Sequence, residues 1–86
     1  MKLKVFTQKK CPKCPLAKKL AEELQQEGRL EVEFYDVEER EGLAEAQFYS
    51  ILATPTLILC HDNEEESEKK SWRGEVPSKE EIEKEL

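Results

Sequence analysis

Leu3-Lys4-Val5-Phe6-Thr7-Gln8-Lys9-Lys10-Cys11-Pro12-Lys13-Cys14-Pro15-Leu16 decides how this chain folds. Lys2 to Thr7 alternates, with Leu3, Val5 and Thr7 on one side and Lys4 and Phe6 on the other, which predicts a first strand. From about Pro12 to Glu27 the period changes. Leu16, Leu20 and Leu24 recur every four residues beside Ala17 and Ala21, the pattern of a helix. Pro12 suits a first helical position, where its missing N–H costs nothing, and Gly28 suits the end. Cys11 and Cys14 therefore fall on one turn between strand and helix, close enough to form a disulfide. The helix dipole and its unpaired N–H groups would favour a thiolate on Cys11.

Outward from this segment the chain alternates element types. Leu30 to Val37 reads as a strand passing from edge to interior. Glu41 to Tyr49 is a short helix with Leu43, Ala46 and Tyr49 on one face. Ala53-Thr54-Pro55-Thr56 breaks the pattern, and Thr56 to Cys60 is a continuous apolar strand. His61 to Glu66 is a polar hairpin loop, with Glu64, Glu65 and Glu66 expected in solvent, and Ser67 to Arg73 is the return strand. After Gly74, Ser78 to Leu86 forms a last helix, where Ser78 and Glu81 have capping-box spacing. The order is β-α-β-α-β-β-α. It gives one α/β domain over residues 1–86, with a four-stranded mixed sheet flanked by helices and a right-handed βαβ start.

Composition narrows the function. With 86 residues, a net charge of −6, 40% charged and 37% apolar residues, the chain has no leaning towards nucleic acid or membranes. Its longest apolar run is far short of the roughly 20 residues of a membrane helix. Met1-Lys2-Leu3-Lys4 starts without a secretory apolar region, so the expected location is cytoplasmic. There, three cysteines point to reactive or metal-binding thiols rather than a structural disulfide framework.

Cys11-Pro12-Lys13-Cys14 after a first strand, Thr54-Pro55 before an apolar strand and Gly74 after the next one together resemble the thioredoxin and glutaredoxin group. The resemblance implies a thioredoxin fold and a dithiol–disulfide oxidoreductase that needs no cofactor of its own. In such proteins the first cysteine is the exposed nucleophile, here Cys11, surrounded by Lys9, Lys10 and Lys13. Cys14 would resolve the mixed disulfide and release the reduced substrate. Pro12 and Lys13 would border the bound substrate. The resemblance also makes Thr54–Pro55 a cis bond, with the Thr54 backbone pairing to a substrate strand.

The centre departs from both branches. Lys10 replaces the tryptophan of thioredoxins, Lys13 replaces the aromatic of glutaredoxins, and Gly74-Glu75 lacks the glycine pair of glutathione-binding members. Pro15 is an unexpected second proline. The mixture is similar to small glutaredoxin-like proteins with thioredoxin-type activity. Protein disulfides are the implied substrates, and a flavoprotein thioredoxin reductase or glutathione is the implied electron donor. No long apolar stripe is left over, so a monomer is expected.

Other readings use the same residues. A metal or iron–sulfur carrier could hold an ion on Cys11 and Cys14, but copper chaperones with this motif run β-β-α-β after the first helix begins and end on a strand. A redox-sensing domain would use the disulfide as a switch. Cys60 ends an apolar run and reads as a buried core thiol, and His61 as a solvated loop residue. Adjacent residues at a strand end face opposite ways, so no metal site is assigned to Cys11, Cys14, Cys60 and His61. Phe34, Tyr35 and Phe48 are expected in the core, Trp72 against the sheet, and Arg73 solvated or ion-paired at the surface.

Overall fold

A computed structural model describes all 86 residues. The elements follow the expected order: β1 (Lys2–Thr7), α1 (Cys14–Gln26), β2 (Glu31–Asp36), α2 (Arg40–Phe48), β3 (Thr56–Cys60), β4 (Glu68–Arg73) and α3 (Lys79–Glu83). The sheet order is β2-β1-β3-β4. β1 and β2 are parallel, joined through α1, while β3 runs antiparallel to β1 and β4 antiparallel to β3.

Strand alternation divides the interior into two layers. Leu3, Val5, Leu57, Leu59 and Trp72 face α1 and α3, meeting Ala17, Ala21, Leu24 and Ile82. Phe6, Ile58 and Cys60 face α2, meeting Ala46 and Tyr49. Because β1 and β3 are covered on both faces, Leu3 to Phe6 and Thr56 to Cys60 are buried without alternation, and β3 is a nearly continuous apolar run.

Several expectations are corrected. Helix α1 begins at Cys14, two residues later than the pattern suggested, and Pro15 rather than Pro12 occupies its first turn. Its buried face is Cys14, Ala17, Ala21 and Leu24, whereas Leu16 is 61% exposed. Small residues let the helix lie close to the sheet, and the leucine spacing misread which side that was. β2 is an edge strand, so Phe34 is exposed on it, and Phe48 on the outer side of α2 is exposed as well. Tyr35 is half-buried and stacks on Phe6 with ring centroids 5.4 Å apart. On α2, Leu43 is largely exposed while Ala46 and Tyr49 are buried.

The ends of the helices follow local chemistry. Gly28 takes φ +71° just after α1, a conformation that costs a residue without Cβ little. The Ser78 hydroxyl accepts from the Glu81 N–H at 3.2 Å at the start of α3, a cap worth about 1 kcal/mol. Gly42, in α2, lies against the main chain of Asp36, whose carbonyl a methyl group at this position would overlap.

Glu66 is not the solvated loop residue expected. Lys4 is buried on the α2 side of β1, with its Nζ 2.6 Å from Glu45 Oε1 and 2.9 Å from Glu66 Oε2. The ammonium also lies 5.1 Å from the Tyr49 ring centroid and 5.7 Å from that of Tyr35. The Tyr49 hydroxyl donates to the Glu66 carbonyl at 2.7 Å and stands 3.6 Å from Cys60 Sγ. This network pins the hairpin loop to α2 across the face of β1.

Candidate active site

β1 delivers the chain to Gln8, a turn carries it through Lys13, and α1 takes over at Cys14. Cys11 and Cys14 are joined as a disulfide, with their Cα atoms 5.3 Å apart. The Cys11 N–H donates to the Gln8 carbonyl at 3.3 Å, and the Cys14 N–H to the Cys11 carbonyl at 3.4 Å. The pair thus closes its own turn.

The N–H donors at this end are fewer than the sequence suggested. Cys14 gives its N–H to Cys11, Pro15 has none, and Leu16 and Ala17 both donate to the Lys13 carbonyl. What remains to favour a Cys11 thiolate is the field of the helix and nearby positive charge, with no acidic residue in the first turn of α1. The contrast in exposure between the two cysteines is small: Cys11 retains 7% of its surface and Cys14 3%. Cys11 is therefore the more accessible, yet mostly covered.

A cleft of about 230 Å³ runs beside the disulfide, walled by Thr7, Gln8, Lys9, Lys18 and Asp36 together with the two cysteines. Lys9, Lys10, Lys13 and Lys18 are exposed, and none of them takes part in an ion pair. Asp36 is given no role by the sequence. It ends β2, opposite Thr7 in register, and its Oδ1 accepts from the Glu38 N–H at 2.8 Å. The parallel pairing of β1 and β2 that the βαβ start implies brings it to the dithiol, but the register that sets it opposite Thr7 is not written in any local pattern.

Pro12 and Lys13 lie exposed on the turn between the cysteines. The Thr54–Pro55 bond is cis, Pro55 is fully buried, and its carbonyl accepts from the Gly74 N–H at 2.8 Å. Gly74, with φ +72°, thereby ties the end of β4 to the start of β3. The N–H and carbonyl of Thr54 make no hydrogen bond within the chain.

Cys60 lies apart from this site. It pairs in register with Lys2, at the opposite end of β1 from the segment leading to Cys11, which is roughly 17 Å of strand away. It is fully buried, and burial pushes its thiol above the ordinary value, against a smaller lowering by the Tyr49 hydroxyl. His61 is exposed, and no group of three or more His, Cys, Asp and Glu side chains is placed to hold a metal. No helix is long and apolar enough to cross a membrane.

Comparison with known proteins agrees with this geometry. A family model described as a thioredoxin domain matches residues 1–86. A thioredoxin of Methanocaldococcus jannaschii is 38% identical over 66 residues, covering 74% of this chain and 75% of the relative. Among solved structures, thioredoxin 1 from Thermosipho africanus superposes with a TM-score of 0.76 at 22% identity, covering 95% of this chain and 85% of that one. A thioredoxin from Thermus thermophilus gives 0.70 at 22% identity, covering 98% and 68%. A malarial protein gives 0.77 at 21% identity, covering 96% and 89%. These likenesses make the architecture a thioredoxin fold.

Proposed function

Since the chain belongs to the thioredoxin family, with a Cys11–Cys14 pair suited to thiol–disulfide exchange, we propose that it reduces protein disulfides. The observation that carries this reading is the disulfide itself, closed at the head of α1 in an open cleft beside unpaired lysines.

In the reduced protein the Cys11 thiolate attacks one sulfur of a substrate disulfide and expels the other as a thiolate. Lys9 and Lys13, neighbours of Cys11 in the turn, and the helix field favour the anion that attacks. Cys14 then loses its proton and attacks Cys11 Sγ, which closes the intramolecular disulfide and frees the second substrate thiol. Asp36 is the carboxylate in the cleft wall and the candidate acceptor for that proton. Substrate backbone pairs with the unused N–H and carbonyl of Thr54 as one added strand, beside Pro55 and the exposed Pro12-Lys13 turn. A flavoprotein reductase or glutathione returns two electrons in the cytoplasm, and the protein works as a monomer.

Redox titration of the Cys11–Cys14 couple, read by thiol labelling and mass spectrometry, tests this. A reversible two-electron transition between roughly −200 and −300 mV is expected, and its absence overturns the proposal. Cys11→Ser should abolish reduction of a disulfide-bonded protein, and Cys14→Ser should accumulate a mixed disulfide on Cys11. Cys60→Ser should turn over at the parent rate.

A further inference from the structure

All seven basic residues among the first 21 are lysines, and no acid occurs there. The remaining 65 residues hold all 20 acids and only seven bases, a net charge of −13 against +7. An acidic protein thus presents its dithiol from a wholly basic segment. Lys2 and Lys4 of that segment are tied up in ion pairs, but Lys9, Lys10, Lys13 and Lys18 are exposed and unpaired around Cys11 and Cys14. Asp36 and Glu38 are the acids beside them, the first in the cleft wall and the second accepting from the Lys9 N–H at 3.0 Å. Each of these acids also meets main-chain donors, and the lysines outnumber them.

A second depression adjoins the dithiol cleft. Gln8 walls both, and the second is otherwise lined mainly by Val37, Leu43, Ala46, Ile51 and Leu52. Leu52 is 98% exposed, an aliphatic side chain with nothing covering it. The groove holds about 210 Å³, below the roughly 300–1,000 Å³ of small-molecule sites and suited to one or two aliphatic side chains. Thr54, the residue whose backbone has no partner in the chain, also lines it.

Resting on the disulfide-reductase reading, we infer that this face selects protein segments with acidic residues next to the reducible cysteine and an aliphatic side chain farther along. The lysines attract the acidic flank and the groove takes the aliphatic group, with Gln8 the wall common to both. Charge supplies encounter and orientation, which screening weakens. The apolar contact supplies residence, which salt leaves in place.

The test is single-turnover oxidation of the reduced protein by symmetric peptide disulfides, read as Cys11–Cys14 closure by alkylation and mass spectrometry. The cysteine is flanked by Glu or by Lys, and Leu or Ser stands outside those flanks. At about 10 mM salt the Glu/Leu peptide should react about tenfold faster than the Lys/Leu peptide. The ratio should fall towards one at about 1 M, where the screening length is about 3 Å. Reversing Lys9 and Lys18 (Lys9→Glu with Lys18→Glu) should invert the charge preference, and Leu52→Ser should erase the advantage of Leu over Ser. The three substituted residues, Lys9, Lys18 and Leu52, are exposed, and the other changes are on the peptide, so folding is unaffected. Equal rates for Glu and Lys peptides at low salt, or a Leu advantage that survives Leu52→Ser, overturn the inference. If hydroxyethyl disulfide oxidises the pair while the peptides are not distinguished, only this inference fails. If no disulfide oxidises the pair, the proposed function fails with it.

Discussion

The two ends of β1 use the same two residue types for opposite purposes. At its beginning, Lys4 and Cys60 lie buried beneath α2, the lysine held by Glu45 and Glu66 and the thiol covered by Tyr49. Beyond its other end, Lys9, Lys10 and Lys13 stand unpaired in solvent around two cysteines that have closed on each other. Neither lysine nor cysteine is functional or structural by type. What differs is whether the charge has a partner and whether the sulfur can be reached. A buried ammonium without carboxylates would be intolerable, and a catalytic thiolate beneath a tyrosine would be inert.

The largest effect is expected where the contrast is broken from the buried side. Lys4→Ala leaves Glu45, Glu66 and the Tyr49 hydroxyl without their cation and opens a cavity. Urea unfolding should show a loss of about 2–4 kcal/mol, at or below the range for broken buried pairs because both glutamates keep some access to water. Lys13→Ala should stay within about 0.5 kcal/mol of the parent. Equal losses for the two would show that the burial of Lys4 has no energetic consequence.

A second test concerns the sulfurs. In the reduced native protein, iodoacetamide should modify Cys11 at least about a hundredfold faster than Cys60, whose thiol is both buried and held above its ordinary pKa. Comparable rates, followed by peptide mapping, would remove the distinction between an accessible and an enclosed thiol.

The smallest effect is in pH dependence. The Lys4 ammonium, together with smaller contributions from Lys2, holds the Glu66 carboxyl below its ordinary 4.5. Its contribution to stability is therefore present above pH 4.5 and lost as pH falls through the lowered value. Burial alone would push Lys4 down, but Glu45 and Glu66 outweigh it and raise the ammonium above 10.5, so its share is complete below that pH and lost above it. Burial, with Cys60 beside it, pushes Tyr49 up to about 12 from 10.0, so its share fades between those values. The melting temperature should be flat between about pH 5 and 9 from these groups and decline below 4.5. Lys4→Ala should have a shallower acid decline, and an unchanged one would dissociate Glu66 from Lys4.

The dithiol end was legible in the sequence because its signals are local. An alternating strand, two cysteines within one turn and a helical period follow one another without a gap, and Thr54-Pro55 and Gly74 complete the pattern. The network at the other end was not legible. Lys4, Glu45 and Glu66 are far apart in sequence, and each looks like a solvated charge until the sheet order brings them together. Asp36 received no role because no local pattern gives the register that sets it opposite Thr7, beside the dithiol. Phe34 and Phe48 misled because aromatic residues are usually buried, but an edge strand and the outer side of a short helix had no layer to cover them. Leu16 misled because the buried face of α1 runs through Cys14, Ala17, Ala21 and Leu24 and leaves Leu16 outside it.

Gly42 sets a tolerance that two parts of the site have in common. Where its missing side chain would be, α2 rests on the carbonyl of Asp36. Two residues of α2, Leu43 and Ala46, wall the apolar groove, while the side chain of Asp36 walls the dithiol cleft. A single added methyl has to lift the helix or displace the strand end. The caliber of the groove and the seat of the carboxylate are thus machined against one bare backbone, and neither can be reset at this point without moving the other.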